Sequence, residues 1–232
     1  MKALILAAGR GERMRPLTDT AAKPLLRAGG RRLIEWQIAA LARAGVGDLV
    51  INTAHLPQQF EDALGDGAPL GVRITYSREG ERAEDALETL GGIVRALPQL
   101  GDGAFVVASG DIVTDFDFGG LRARANAINA GQSDAHLVLV DNPPFHPRGD
   151  MGLTGGRIDP DSDVRLTYAN IGVFSPRLFE GLTPVRAKLF PWLYSAARAG
   201  RVTGEHTHSR WFNVGTPAEL ERVDAELRRT AP

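Results

Sequence analysis

A chain of 232 residues, 43% hydrophobic and 24% charged, is long enough to bury a large core without disulfides or structural metal. It has no cysteine, which excludes a disulfide framework and any thiolate metal site, and its formal net charge of −1 leaves no overall basic footprint for nucleic acid. The opening apolar run is too short for a signal-peptide core and meets Arg10, Arg13 and Arg15 at once, and no stretch approaches a membrane span, so a cytoplasmic protein without a membrane partner is expected.

Strand-like and helix-like segments alternate through the first half. Residues 2–6 are a short apolar run followed by glycine, as in a buried strand. Residues 32–44 carry Leu33, Ile34, Trp36, Ile38 and Leu41 at helical spacing, with Gly45 as the stop. A strand is expected at 48–52, a short helix at 58–64, a strand at 72–76, a helix at 83–97 stopped by Pro98, and a strand at 104–108 that runs into Ser109-Gly110-Asp111. Such repeated units imply a parallel sheet with right-handed crossovers.

The second half differs. Residues 136–140 read as a strand, followed by a proline-rich turn at 141–148. Residues 151–158 read as a hairpin arm with Gly155-Gly156 at its turn, and 166–174 is the strand expected to pair with it. Helices are expected at 187–199 and 217–229. With no internal repeat and no low-complexity linker, the reading is one continuous α/β domain over 1–232 with a mixed parallel and antiparallel sheet.

The loop after the first strand, Leu6-Ala7-Ala8-Gly9-Arg10-Gly11-Glu12-Arg13-Met14-Arg15-Pro16-Leu17-Thr18, is the most informative stretch. Small residues let the backbone approach a ligand, and glycine permits left-handed turns. Successive outward N–H groups make a nest for an anion, and Arg13, Arg15 and Lys23 add cations beside it; phosphate suits that combination. The loop lacks the Gly-Lys-Ser/Thr ending of a P-loop. It has Met14 where a dinucleotide fingerprint needs a third glycine, and Asn52 where that fold needs a ribose-binding acid, which counts against an NAD-type dehydrogenase.

The same loop, followed by Lys23-Pro24-Leu25, resembles the signature loop of the sugar-phosphate nucleotidyltransferases. Three further segments agree in order and spacing: Glu88-Thr89-Leu90-Gly91-Gly92, Ser109-Gly110-Asp111 and Trp211-Phe212-Asn213-Val214-Gly215-Thr216. The resemblance implies a Rossmann-like, mainly parallel sheet with helices on both faces (the nucleotide-diphospho-sugar transferase fold). A nucleotide-binding half of about 1–117 and a sugar-binding half of about 118–232 would follow. The short chain and segments such as Asn52-Thr53-Ala54-His55-Leu56 and Gly149-Asp150 are similar to the bacterial N-acetylmuramate 1-phosphate uridylyltransferases of cell-wall recycling. Short mannose 1-phosphate guanylyltransferases are also similar.

The reaction so implied is an in-line attack of a sugar 1-phosphate on the α-phosphorus of UTP or another nucleoside triphosphate. It releases pyrophosphate, uses Mg²⁺, and needs no general base because the attacking phosphate is already ionised. Two anions must meet, so positioning and charge neutralisation do most of the catalysis. Arg13 is the candidate for the β- and γ-phosphates and Lys23 for the α-phosphate and attacking phosphate. Leu6, Ala7, Ala8, Gly9, Gly11, Glu12, Glu88, Thr89, Gly91 and Ser109 would line the nucleotide site. Asp111 follows a strand end that faces the ligand crevice of an α/β sheet. With Asn213 it would hold the metal, since magnesium takes one or two carboxylates with phosphate oxygens and water. Asp150, Asn170, Gly172 and Lys188 would form the sugar pocket by the same resemblance.

Two residues depart from the family pattern. Asn213 stands where aspartate is common, and Leu90 where glycine or alanine is usual; its side chain either narrows the base pocket or enters the core. They motivate a rival reading as a non-catalytic nucleotide-sugar binder, against which the retained Arg13, Lys23 and Asp111 argue. Asp115 and Asp117 read as turn or capping residues. His206 and His208 sit at i, i+2 with no third metal ligand spaced to join them, and no nucleophile elbow is present. A monomer or small homo-oligomer is expected.

Overall fold

The computed structural model describes residues 1–230. The chain opens with β1 (Ala3–Leu6), a small ribbon of β2 (Arg27–Ala28) and β3 (Arg31–Arg32), then α1 (Leu33–Arg43), β4 (Asp48–Thr53), α2 (Pro57–Leu64), β5 (Arg73–Arg78), α3 (Glu88–Leu100) and β6 (Phe105–Ser109). It continues through β7 (Ile112–Thr114), α4 (Leu121–Asn129), β8 (Ala135–Val140), β9 (Gly152–Thr154), β10 (Arg157–Asp159), β11 (Thr167–Phe174), α5 (Tyr194–Arg198), β12 (Val202–His206), β13 (Trp211–Asn213) and α6 (Pro217–Thr230).

Nine strands form one sheet in the order β5-β4-β1-β6-β11-β8-β12-β10-β9. β1 pairs in parallel with β4 and β6, β4 with β5, and β12 with β8. β11 is antiparallel to both β6 and β8, so β8 and β12 point the same way as β6. The carboxyl ends of β1, β4, β6, β8 and β12 therefore share one edge, the edge where open α/β sheets bind ligands. The mixed, mainly parallel sheet with helices on both faces is as expected from the sequence.

The central strands are apolar throughout because both faces are covered. Alternation along each strand divides the core. Ile5, Leu49, Ile51, Val106 and Ala108 face Ile34, Ile38, Leu41, Phe60 and Leu121. Leu4, Val50, Phe105 and Val107 face Ile93, Phe174 and Phe179 on the other side. A third cluster of Met14, Leu33, Val113, Val214 and Val223 fastens α6 and the first loop to the body.

Several elements differ from the sequence expectation. The helix expected at 83–97 starts at Glu88, after a 3-10 turn at Ala83–Asp85, and runs through Pro98 to Leu100. Pro98 lies in the last turn, where it forgoes the one bond back to the Val94 carbonyl, and Gly101 (φ 82) ends the helix. The strand ending at Phe174 does not form the hairpin with 151–158. It inserts between β6 and β8, and among the described residues its backbone pairing with that arm is the Met151–Leu166 bridge. Tyr168, Ala169, Ile171, Val173 and Phe174 are all buried and require a central position. The hairpin instead closes on itself as β9–β10, with Gly155 and Gly156 both at positive φ, as a two-residue turn demands. The helix expected at 187–199 shrinks to Tyr194–Arg198, because Pro191 disfavours helical backbone at Phe190. Neither α4 nor β12 was foreseen.

Candidate active site

The first loop leaves β1 at the ligand edge and is held at several points. Gly11 adopts φ 68, and a Cβ there would lie 3.0 Å from the Lys23 Cβ and the Thr18 methyl. Thr18 Oγ1 donates to the Gly11 carbonyl at 2.8 Å, and Met14 is fully buried beneath the turn. Gly110 donates to the Leu6 carbonyl at 2.9 Å, which seats the turn after β6 directly beside the loop.

Two polar residues that sequence reasoning did not place in the site organise it from below. Asn52, at the end of β4, accepts the Ala7 N–H at 2.7 Å and donates to Glu79 at 2.6 Å. Glu79 in turn accepts the Leu87 N–H at 2.6 Å, at the N-terminus of α3. One relay thus ties the first loop to the loop opposite. Burial pushes the Glu79 carboxyl above its ordinary range, against the hydrogen bonds from Leu87 and Asn52, which favour the charged form.

A cavity of about 810 Å³ lies between these loops. Of the residues predicted for the nucleotide, Leu6, Ala7, Ala8, Gly9, Gly11, Glu12, Glu88, Thr89 and Ser109 all line it, together with Arg13, Lys23 and Asp111. Arg10, Asn52, Glu79 and Arg186 also line it and were missed. The Ala7 N–H is already occupied by Asn52, so Ala7 contributes shape rather than a donor.

Gly91 is not brought to the cavity. Its N–H reaches the Ala187 carbonyl at 3.3 Å, and a Cβ there would strike the Val185 carbonyl oxygen at 2.1 Å. Its need for glycine is close packing of α3 against 185–187. Leu90 points into the core, with 6% exposure, and does not narrow the cavity.

Lys23 and Asp111 meet at the cavity floor, Nζ to Oδ2 at 2.5 Å, with 12% and 24% of their side chains exposed. Arg13 lies over Gly215 and makes no salt bridge among the described residues. Arg15 pairs with Asp19 at 3.0 Å and lines neither cavity. Asp117 caps a 3-10 turn and Asp115 pairs with Arg210 at 2.8 Å, the structural roles expected of them.

A second cavity of about 480 Å³ adjoins the first, sharing Arg13, Glu88 and Thr89. It gathers Asp150, Asn170, Lys188 and Asn213 with His146, Tyr168, Phe190 and Trp211. Asp150 accepts from the Tyr168 N–H at 2.8 Å and contacts His146 Nε2 at 2.9 Å, so both of its oxygens have protein partners. Burial, and then the Asp150 charge, raise the Tyr168 hydroxyl above the ordinary phenol range. Gly172 lies outside the cavity, inside β11, where a Cβ would sit 2.9 Å from the His136 carbonyl; it is a packing glycine.

Asp111 and Asn213 are carried by the β7–β13 ribbon. Asn213 pairs in register with Ile112, and the Val214 N–H donates to the Asp111 carbonyl at 3.1 Å. Among the described residues, the non-glycine residues at positive φ are Leu56, Glu88 and Asn170, and the last two line the second cavity. Left-handed backbone at such residues is held only by the surrounding structure and gathers at functional sites.

Residues 2–149 match the family model described as Nucleotidyl transferase. The chain is 46% identical to the N-acetylmuramate alpha-1-phosphate uridylyltransferase of Neisseria meningitidis serogroup B, over 97% of each chain. It is 30% identical to the enzyme of the same name from Caulobacter vibrioides, over 97% of this chain and 96% of that one. Among solved structures, a sucrose-bound structure from Bacillus anthracis superposes with a TM-score of 0.83 at 21% identity, covering 100% of this chain and 97% of that one.

Proposed function

The chain belongs to the nucleotidyl transferase family and has the nucleotide-diphospho-sugar transferase fold, and we propose that it joins UTP to N-acetylmuramate 1-phosphate, releasing pyrophosphate and a UDP-sugar. The observation that carries this reading is the convergence of Arg13, Lys23 and the Ala8–Gly11 backbone on one cavity that opens into a second, polar and aromatic one. Full-length similarity to the Neisseria uridylyltransferase supports the choice of base and sugar.

Each residue has a separate task. The loop from Ala8 to Gly11 receives the triphosphate against its backbone donors. Arg13 faces the β- and γ-phosphates, where charge grows as pyrophosphate leaves. Lys23 holds the α-phosphate and the incoming sugar phosphate together, and its ion pair with Asp111 fixes the ammonium before substrate arrives. Glu88 and Thr89 border both cavities at the junction where the two substrates meet. Lys188, His146 and Asp150 face the sugar, with Trp211 and Tyr168 as apolar walls.

The residues present fit a magnesium ion. Asp111 keeps one carboxylate oxygen without a protein partner among the described residues, and Asn213 adds an amide carbonyl on the paired strand. One carboxylate with neutral oxygens, phosphates and water is a set that magnesium accepts. When bound, the ion supplies positive charge to the triphosphate. Asn213 brings no charge of its own, so the triphosphate contributes more of the ion's affinity than in relatives with two carboxylates. The reading places the protein in the cytoplasm, in recycling of cell-wall amino sugars. Among the described residues no helix is long and apolar enough to cross a membrane.

The test is magnesium-dependent pyrophosphate release from UTP, GTP, CTP and dTTP, each with N-acetylmuramate, N-acetylglucosamine, glucose and mannose 1-phosphates. Turnover is expected with UTP and the muramate. Silence across the panel, with tight UDP-sugar binding that persists after Asn213→Asp, contradicts the enzyme and leaves a binder.

A further inference from the structure

β8 and β12 are parallel neighbours that end together on the ligand edge, with His206 in register with Leu139 and the Thr207 N–H bonded to the Leu139 carbonyl at 2.9 Å. That pairing brings Asp141, the first residue after β8, beside His206 and His208. The sequence spacing of the two histidines offered no third ligand; the sheet supplies it from 65 positions away (206 minus 141).

The geometry points to a transition-metal site formed by Asp141, His206 and His208, for an ion of the Zn²⁺ type. His206 Nε2 lies 3.0 Å from Asp141 Oδ1 and His208 Nδ1 lies 3.5 Å from Asp141 Oδ2. One donor atom from each of the three residues lies within 4.8 Å of the others. Ligands at zinc bond lengths of about 2.0–2.1 Å in a tetrahedron stand about 3.3 Å apart, so the donors need little movement to close on one ion. The two imidazole rings lie 4.5 Å apart, centre to centre, close enough to turn toward one ion. His206 Nε2 is buried, and despite its nearness to Asp141 it is not aligned for a hydrogen bond. A buried ring nitrogen that faces a carboxylate without an aligned hydrogen bond requires an explanation, and a metal ion held between the two provides one.

The donor set also selects the ion. Two imidazoles and one carboxylate suit Zn²⁺, Co²⁺ or Ni²⁺, whereas Mg²⁺ keeps to oxygen. Three protein ligands leave a position open to water or an exogenous group. The site is separate from Asp111 and does not rest on the proposed reaction. It would nevertheless be felt there. Asp141 begins the loop that carries Phe145, His146 and Asp150 into the second cavity, and His208 begins the short run to Trp211 and Asn213 on its other wall. An ion held between them staples the two walls together.

The probe is Zn²⁺ itself, titrated by calorimetry into chain free of any histidine tag in excess magnesium, with Co²⁺ absorption as a second reading. The wild type is expected to bind one ion per chain and to gain thermal stability from it by mass action. His208→Ala and Asp141→Asn should each weaken binding by at least roughly tenfold, the loss typical of disturbing even an outer contact of a metal site. His208 is 79% exposed, so its removal leaves the fold intact. His146→Ala should leave zinc binding unchanged. Absence of zinc binding, equal affinity in wild type and His208→Ala, or loss of binding in His146→Ala would each overturn the assignment.

Discussion

Replacing Lys23 with methionine keeps the length of the stem and removes its charge. Asp111 then faces the cavity alone. The two side chains are 12% and 24% exposed, so the pair lies between an exposed ion pair, worth about 0–1 kcal/mol, and a buried one whose disruption costs about 3–5 kcal/mol. A loss of about 1–3 kcal/mol follows, which for a chain of this size lowers Tm by roughly 2–12 °C. Turnover should fall further than stability suggests, by roughly 10²–10³-fold, the usual effect of removing one preorganised group at developing charge. Adding Asp111→Asn to Lys23→Met removes the stranded carboxylate. The double variant should regain part of the lost stability and none of the lost turnover. The assays are calorimetric or spectroscopic melting and continuous pyrophosphate release under saturating UTP and sugar phosphate. A Lys23→Met chain with wild-type turnover, or a double variant that recovers turnover along with stability, would refute the reasoning.

Three further outcomes follow from the site. Gly11→Ala forces a Cβ into left-handed backbone, at about 1–2 kcal/mol, and presses it against Lys23 at 3.0 Å; denaturant midpoints should fall and KM for UTP should rise. The Glu79 carboxyl titrates above its ordinary value of 4.5 in the folded chain, so as pH rises past that value the folded state keeps a proton that the unfolded state has lost. Stability of the wild type relative to Glu79→Gln should therefore decline with rising pH through the window above 4.5, and a flat or rising difference in urea titrations would count against the burial argument. Asn213→Asp should lower the magnesium concentration needed for half-maximal activity, by adding a second carboxylate beside Asp111; an unchanged magnesium dependence would place Asn213 outside the metal's reach.

The loop from Leu6 to Thr18 and the strand-end Asp111 were legible in the sequence because each is a local pattern. Glycines, small residues and cations within one short loop need no tertiary information to suggest an anion. The helix faces of α1 and the buried runs of β1, β4 and β6 were legible for the same reason. Contributions made by pairing across the sheet were not. Nothing local marks Asn52 as the clamp on Ala7, or Glu79 as the cap of α3, since both depend on β4 and β5 ending beside the first loop. β11 looked like a hairpin partner because its neighbour in sequence was a hairpin arm, whereas its burial on both faces sends it to the sheet centre. Gly91 and Gly172 matched a motif whose glycines serve packing here, against Val185 and His136. Asp141 joins His206 and His208 only because β8 and β12 run in parallel.

The central claim is that the turn leaving β1 wraps a triphosphate between Arg13 and Lys23, with Asp111 directed at its metal. A crystal structure of the chain with UTP and magnesium tests it most directly. The account predicts phosphate oxygens on the Ala8–Gly11 backbone, Arg13 on the terminal phosphates, and Asp111 coordinating the ion. Nucleotide bound elsewhere, with that turn empty and Asp111 still paired only to Lys23, would contradict it.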